Sequence, residues 1–231
     1  MASQASPSYD SLIPPQPVPA GAQVFSSRIH GLLDGQPKDD ATVAQAFAGM
    51  DDFFDLIAAK LYTQASMLVG EGEESVRLVE TAIANADIAS CSDPAKGRRN
   101  SRWALCTAAI ELLEQRNPGC LKAPQETELK GRCIEGDDLD SSGVSGAELE
   151  QALEGPGRER VRVWLESLPA ALRTVFVLRA VIGFSPAETA QLLQENGGVQ
   201  AAEWNDAAVR VWFRSALCSL ATQILHASAG A

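Results

Sequence analysis

Between Val161 and Leu225 the chain is punctuated in a way that only short helices can accommodate. Pro169 suits the first turn of a helix, where a missing N–H costs nothing. From there Leu172, Val175, Phe176, Arg179 and Ala180 follow helical spacing, and Gly183 stops the pattern. Ser185 restarts it: a hydroxyl at the N-cap, Pro186 at N1 and Glu188 at N3 spell a capping box. Ala190 is small where a second helix must approach closely. Further on, Val209, Phe213, Ala216 and Leu220 fall on one face of a last amphipathic segment. Short helices in close contact, followed by one that carries outward Arg, fit a helix-turn-helix.

In order, Leu168-Pro169, Arg173, Val175-Phe176-Val177-Leu178-Arg179, Gly183-Phe184-Ser185, Glu188-Thr189-Ala190 and Val209…Phe213…Ala216…Leu220 resemble region 4 of bacterial RNA polymerase sigma factors. The likeness is strongest to the extracytoplasmic-function group. It implies a promoter-reading helix whose base- and phosphate-facing positions fall at Ala208, Arg210, Val211, Trp212, Arg214 and Ser215. Arg210 and Arg214 are four apart and share a face, one position round from the Val209–Phe213 stripe, so both can point outward while that stripe is buried. Each can make a bidentate contact to guanine, which discriminates by about 1–3 kcal/mol. The solvated alternative is two Arg on an ordinary amphipathic helix. Trp212 stands where the family commonly has Arg, and Ala208 lacks a hydroxyl frequent there. The connection from Leu193 to Val209 is longer than the family's, with Asn196-Gly197-Gly198 expected to end one helix and Asn205 or Asp206 to cap the next. Glu203 and Asp206 would repel phosphate.

A net charge of -11 is unusual for a nucleic-acid binder. The acidity is unevenly placed: residues 159–231 carry six Lys/Arg and six Asp/Glu, so attraction to phosphate would rest on where a few Arg sit. The apolar content of 45% supports folded cores.

The earlier part of the chain reads as a separate helical domain over 40–117. Phe54, Ile57, Leu61, Ala65 and Leu68 make one apolar stripe, and Gly70 with Gly72 breaks it. Glu73 and Glu74 suit the first turn of a helix bearing Val76, Leu78, Val79 and Ile83. A third helix, expected from Ser101 to Gln115, ends at Asn117-Pro118-Gly119. Leu61-Tyr62…Ala65…Leu68-Val69-Gly70, followed by Leu78-Val79-Glu80, is similar to sigma region 2. With region 4 this brings the likeness to about 140 of the 231 residues. It implies a polymerase-docking surface at Arg77, Leu78, Glu80 and Thr81. Here Arg77 replaces the usual Asp, Glu80 the usual Gln and Thr81 the usual Glu, and a charge reversal of that kind can reject a partner. Arg102 and Trp103 occupy the segment where the family opens promoter DNA. Lys96, Arg98 and Arg99 precede it as a basic cluster able to touch phosphate, or as a solvated basic loop.

Residues 1–24, with five prolines, are expected to form a disordered tail, and residues 118–158, rich in Gly, Ser, Asp and Glu, a flexible acidic linker. Inside the linker Asp138-Leu-Asp140-Ser-Ser142-Gly143 echoes a calcium loop, but Glu148 falls one place short of the bidentate position. Five scattered cysteines imply neither a disulfide framework nor a zinc site, and His30 and His226 stand apart from them. No cofactor or metal is expected, and a reduced, cytoplasmic setting is the simpler reading. Neither a signal peptide nor a membrane span is expected.

The sequence therefore describes an all-α protein of two small helical domains joined by an acidic linker, the second (159–228) a helix-turn-helix. As implied by the resemblance, it would bind RNA polymerase core and promoter DNA, with an anti-sigma factor as a further partner. The alternative is a degenerate sigma-shaped interaction protein that no longer reads DNA. An enzyme is the weakest reading, since there is no Gly-rich phosphate loop, HExxH or G-x-S-x-G motif.

Overall fold

The computed structural model describes residues 57–86, 94–123, 133–155 and 157–229. The Pro-rich tail, the helix start near residue 40, Cys91 and His30 lie outside them. Every regular element among the described residues is helical, and all of these residues belong to one compact unit.

Helix α1, residues 57–69, buries Ile57, Leu61, Ala65 and Leu68, the stripe read from spacing. It ends at glycines: Gly70 and Gly72 have φ of 95° and 132°, which an L side chain rarely adopts. Helix α2 (Glu73–Asn85) opens on two carboxylates at its positive end and buries Val76, Leu78, Val79 and Ala82. It packs on α3 (Pro94–Arg116), whose inner face is Leu105, Cys106, Ala109, Ile110 and Leu113. α3 starts at Pro94, about two turns before the expected boundary at Ser101. Lys96, Arg98 and Arg99, read as preceding the helix, are part of it.

The segment expected as a flexible linker contains ordered structure. A 3₁₀ turn at Leu139–Ser142 is capped by Asp138, whose Oδ1 accepts from the Ser141 N–H at 2.9 Å. Helix α4 (Gly146–Glu154) begins with a complete capping box, Ser145 with Glu148. Asp138 and Glu148 of the calcium-like motif are thus occupied by backbone and hydroxyl donors at helix starts, which also holds both below the usual carboxylate range. Polar composition misled here because capping residues and linker residues are the same types.

Helix α5 (Arg158–Ser167) leads to α6 (Ala170–Phe176), which continues as a π-helical stretch over Val177–Ile182 and stops at Gly183, φ 85°. Helix α7 (Pro186–Asn196) starts with the expected capping box of Ser185 and Glu188. A 3₁₀ turn (Val199–Ala201) separates it from the long α8 (Asp206–Ala229). The core of this part is aromatic. Phe176 meets Trp164 edge-on at 4.9 Å and Phe213 at 6.2 Å, and Val209, Ala216, Leu217 and Leu220 complete the buried face of α8. Each such large side chain stabilises the fold by roughly 1.5–3 kcal/mol on burial.

The two sequence-defined halves pack against each other. α3 lies on α7, and Arg99 pairs with Glu188 across that contact. Trp103, in the segment likened to the family's promoter-opening helix, meets Phe184 edge-on at 5.5 Å. The long connection after α7 is the main anchor: Trp204 is fully buried and its Nε1 donates to the Leu121 carbonyl at 2.7 Å. Gln194 holds the Trp204 carbonyl from the other side. The extra length of the turn therefore serves as a plug that seats the C-terminal helices on the turn after α3.

Candidate functional site

Helix α8 presents the outward face that the sequence assigns to recognition. Asn205 caps it, accepting from the Ala208 N–H at 2.9 Å, so the side chain rather than Asp206 closes the first turn. Val209 and Phe213 are buried beneath, as their spacing requires. Arg210 and Ser215 are exposed; Ala208, Val211, Trp212 and Arg214 are half-buried. The Ser215 hydroxyl donates back to the Val211 carbonyl at 3.2 Å. Trp212 packs edge-on against Trp204 at 6.0 Å and so extends the plug onto the helix. Glu203 and Asp206 are both exposed at the start of α8.

A short segment, residues 133–138, lies along this face as a strap. The Asp137 carboxylate forms an ion pair with Arg210. Arg214 Nη1 donates to the Glu135 carbonyl at 3.4 Å, and Arg179 Nη2 to the Asp137 carbonyl at 3.5 Å. Ile134 is buried. At the start of the strap Cys133 is bonded to Cys218 of α8, with the two Cα atoms 5.7 Å apart. The spacing implied no disulfide framework, and the structure pairs these two cysteines. Spacing could not reveal a partner 85 residues away. The other two described cysteines are free: Cys106 is buried, which pushes its thiol far up, and Cys120 is raised by burial and by nearby Glu114.

Arg179 sits below the strap. Its guanidinium lies 5.1 Å from the centre of the Phe213 ring and donates to the Phe184 carbonyl at 2.5 Å. Burial lowers its pKa, with Asp137 acting in the opposite sense. In the sequence Arg179 belongs to a helical pattern and to the region 4 likeness, with no site role. No local signal distinguishes it, because its partners come from three separate segments.

The candidate docking residues lie on α2, remote in sequence from α8. Arg77 and Thr81 are exposed and Glu80 is half-buried, so these three share an outward side. Leu78 is buried in the core and is not available to a partner in this arrangement. Among the described residues no group of three or more His, Cys, Asp or Glu side chains could hold a metal ion. No helix among them is long and apolar enough to cross a membrane.

The fold and site define a helical protein with a cationic helix face held under an acidic, disulfide-tethered strap. Comparison with protein-family models, with curated proteins and with solved structures yields no match to this chain.

Proposed function

We propose that the chain is a divergent sigma-like transcription initiation factor, which binds RNA polymerase core and recognises promoter DNA through a helix-turn-helix formed by α7 and α8. The observation that carries this reading is the disposition of α8: Arg210 and Arg214 lie on one side, backed by buried Val209 and Phe213, with α7 packed across the helix. A groove-reading helix needs cations outward and an apolar face inward, and this one has both. The Ser185–Glu188 capping box and the small Ala190, 4% exposed at the helix contact, agree with the region 4 likeness. On this reading α2 docks on polymerase through Arg77, Glu80 and Thr81, promoter choice comes from groove contacts without covalent chemistry, and the protein works in the cytoplasm.

A second reading is favoured by specific contacts. Asp137 and the Glu135 carbonyl occupy Arg210 and Arg214, and Glu203 and Asp206 add acidity beside them. A sigma-shaped interaction protein that binds polymerase, or an anti-sigma partner, without engaging DNA would have such a face.

Co-purification of the tagged protein with RNA polymerase core, with and without Arg77→Asp, tests the assignment. Retention of polymerase by the natural chain, with DNA affinity falling steeply as salt rises and weakened by Arg210→Ala, is the expected outcome. Retention without DNA binding transfers the assignment to the second reading. Failure of both forms to hold polymerase removes the sigma-like function.

A further inference from the structure

The strap over α8 combines features that are unrelated in sequence and coincide in space. A disulfide fixes its first residue to Cys218, one helical turn beyond Arg214 on the same helix. An acidic side chain four residues on meets Arg210, and a carbonyl between them meets Arg214. Its far end is anchored separately, because the Leu139–Ser142 turn packs on α8. The covalent bond is thus the strongest hold on the covering segment. Among the described residues, the strap's other contacts with α6 and α8 are an exposed ion pair, two long hydrogen bonds, the Cys133 N–H donating to Cys218 Sγ at 3.2 Å and the burial of Ile134. Exposed ion pairs and long hydrogen bonds hold weakly in water.

We propose that residues 133–138 are a redox-released strap: the Cys133–Cys218 disulfide holds Asp137 and Glu135 over Arg210 and Arg214, and reduction by a dithiol frees that helix face. That the freed face then reads DNA rests on the function proposed above; the release itself does not.

The chemistry balances as a thiol–disulfide exchange. One thiolate of the dithiol attacks the sulfur of exposed Cys133, forming a mixed disulfide while Cys218 leaves as thiolate and takes up a proton. The second thiol of the reductant, losing its own proton, displaces Cys133. The protein disulfide gains two electrons and two protons and becomes two thiols, and the dithiol becomes an intramolecular disulfide. Cys133 is the accessible end, since Cys218 is half-buried against the helix. The deeply buried Cys106 takes no part.

An ion pair between Asp137 and Arg210 also mimics what the strap would exclude. A carboxylate and a backbone carbonyl are anionic and dipolar acceptors, as are phosphate oxygens and the acceptor atoms of guanine, and a guanidinium cannot serve both at once. If the strap is closed in nine molecules of ten, apparent DNA affinity falls about tenfold.

The test uses the full chain, titrated with dithiothreitol, with disulfide content followed by alkylation and mass spectrometry. On the same samples, amide hydrogen exchange is read over 133–138 and phenylglyoxal modification at Arg210 and Arg214. Complete reduction is expected to accelerate exchange in the strap and to raise Arg210 modification by about tenfold, the gain of opening such a strap. Cys133→Ser, a change at an exposed position, should show the open behaviour without reductant, and Asp137→Ala should raise Arg210 reactivity in the oxidised protein. Unchanged exchange and unchanged Arg210 reactivity after complete reduction would overturn the proposal. Binding of a randomised DNA duplex pool by the same samples separates the two inferences. Release with tighter binding supports both. Release with no binding in either redox state leaves the strap standing and removes the DNA reading. Release with equal binding in both states leaves the strap standing and removes Arg210 and Arg214 from the DNA contact.

Discussion

Trp204 is the residue on which the arrangement of this chain most depends. It lies in a connection with the composition of a surface turn, yet it is fully buried, donates to the Leu121 carbonyl and packs on Trp212. A large aromatic truncated in a core leaves both lost transfer energy and a cavity. Trp204→Ala is therefore expected to destabilise the protein by about 3–5 kcal/mol, read as a fall in the urea midpoint. The loss also leaves the Leu121 carbonyl without its indole donor, so Trp204→Phe should recover only part of the stability. Arg210 is the opposite case: exposed and held by one ion pair, it contributes to what the face can bind rather than to folding.

At the scale of elements, the helix starts carry much of the local specification. Ser185 and Glu188 cap α7 reciprocally, and the same pattern recurs with Ser145 and Glu148 at α4. Ser185→Ala should cost about 1 kcal/mol at neutral pH, measured by urea unfolding. The Ser185 backbone N–H, then its hydroxyl and Arg99, hold the Glu188 carboxyl below its ordinary range. A depressed carboxylate stabilises the fold fully above its unfolded pKa of about 4.3, and that stability is lost as pH falls through the lower folded value. The difference between the natural chain and Glu188→Gln is accordingly expected to shrink from pH 7 to pH 3. A difference that stays constant or grows would place the stabilisation elsewhere. Elements were also where sequence reading was most successful. The buried stripe of α1, the carboxylate-led α2 and the apolar face of α8 lie where periodicity put them. Acidic capping residues, by contrast, disguised α4 as linker, and the basic cluster before Ser101 proved to be the opening turns of α3.

Over the whole molecule, the contact of α3 with α7 and the Trp204 plug join what sequence divides in two. Elements that share a core surface are expected to unfold together. Urea unfolding of the oxidised chain should give coincident transitions by tryptophan fluorescence and far-ultraviolet circular dichroism. Two separated transitions would restore the independent domains that the composition of residues 118–158 suggested.

The sequence by itself determined the helical class, the capping box at Ser185, the stops at Gly70 and Gly183, and which face of α1, α2 and α8 turns inward. Those features depend on residues within about four positions of one another, where backbone geometry ties spacing to direction. Only the tertiary structure decided what covers the outward face of α8. Asp137 reaches Arg210 across 73 residues, Glu135 reaches Arg214 across 79 and Cys133 reaches Cys218 across 85. No periodicity links residues so far apart; they meet because the turn at Leu139–Ser142, packed on α8, brings the preceding strap alongside it.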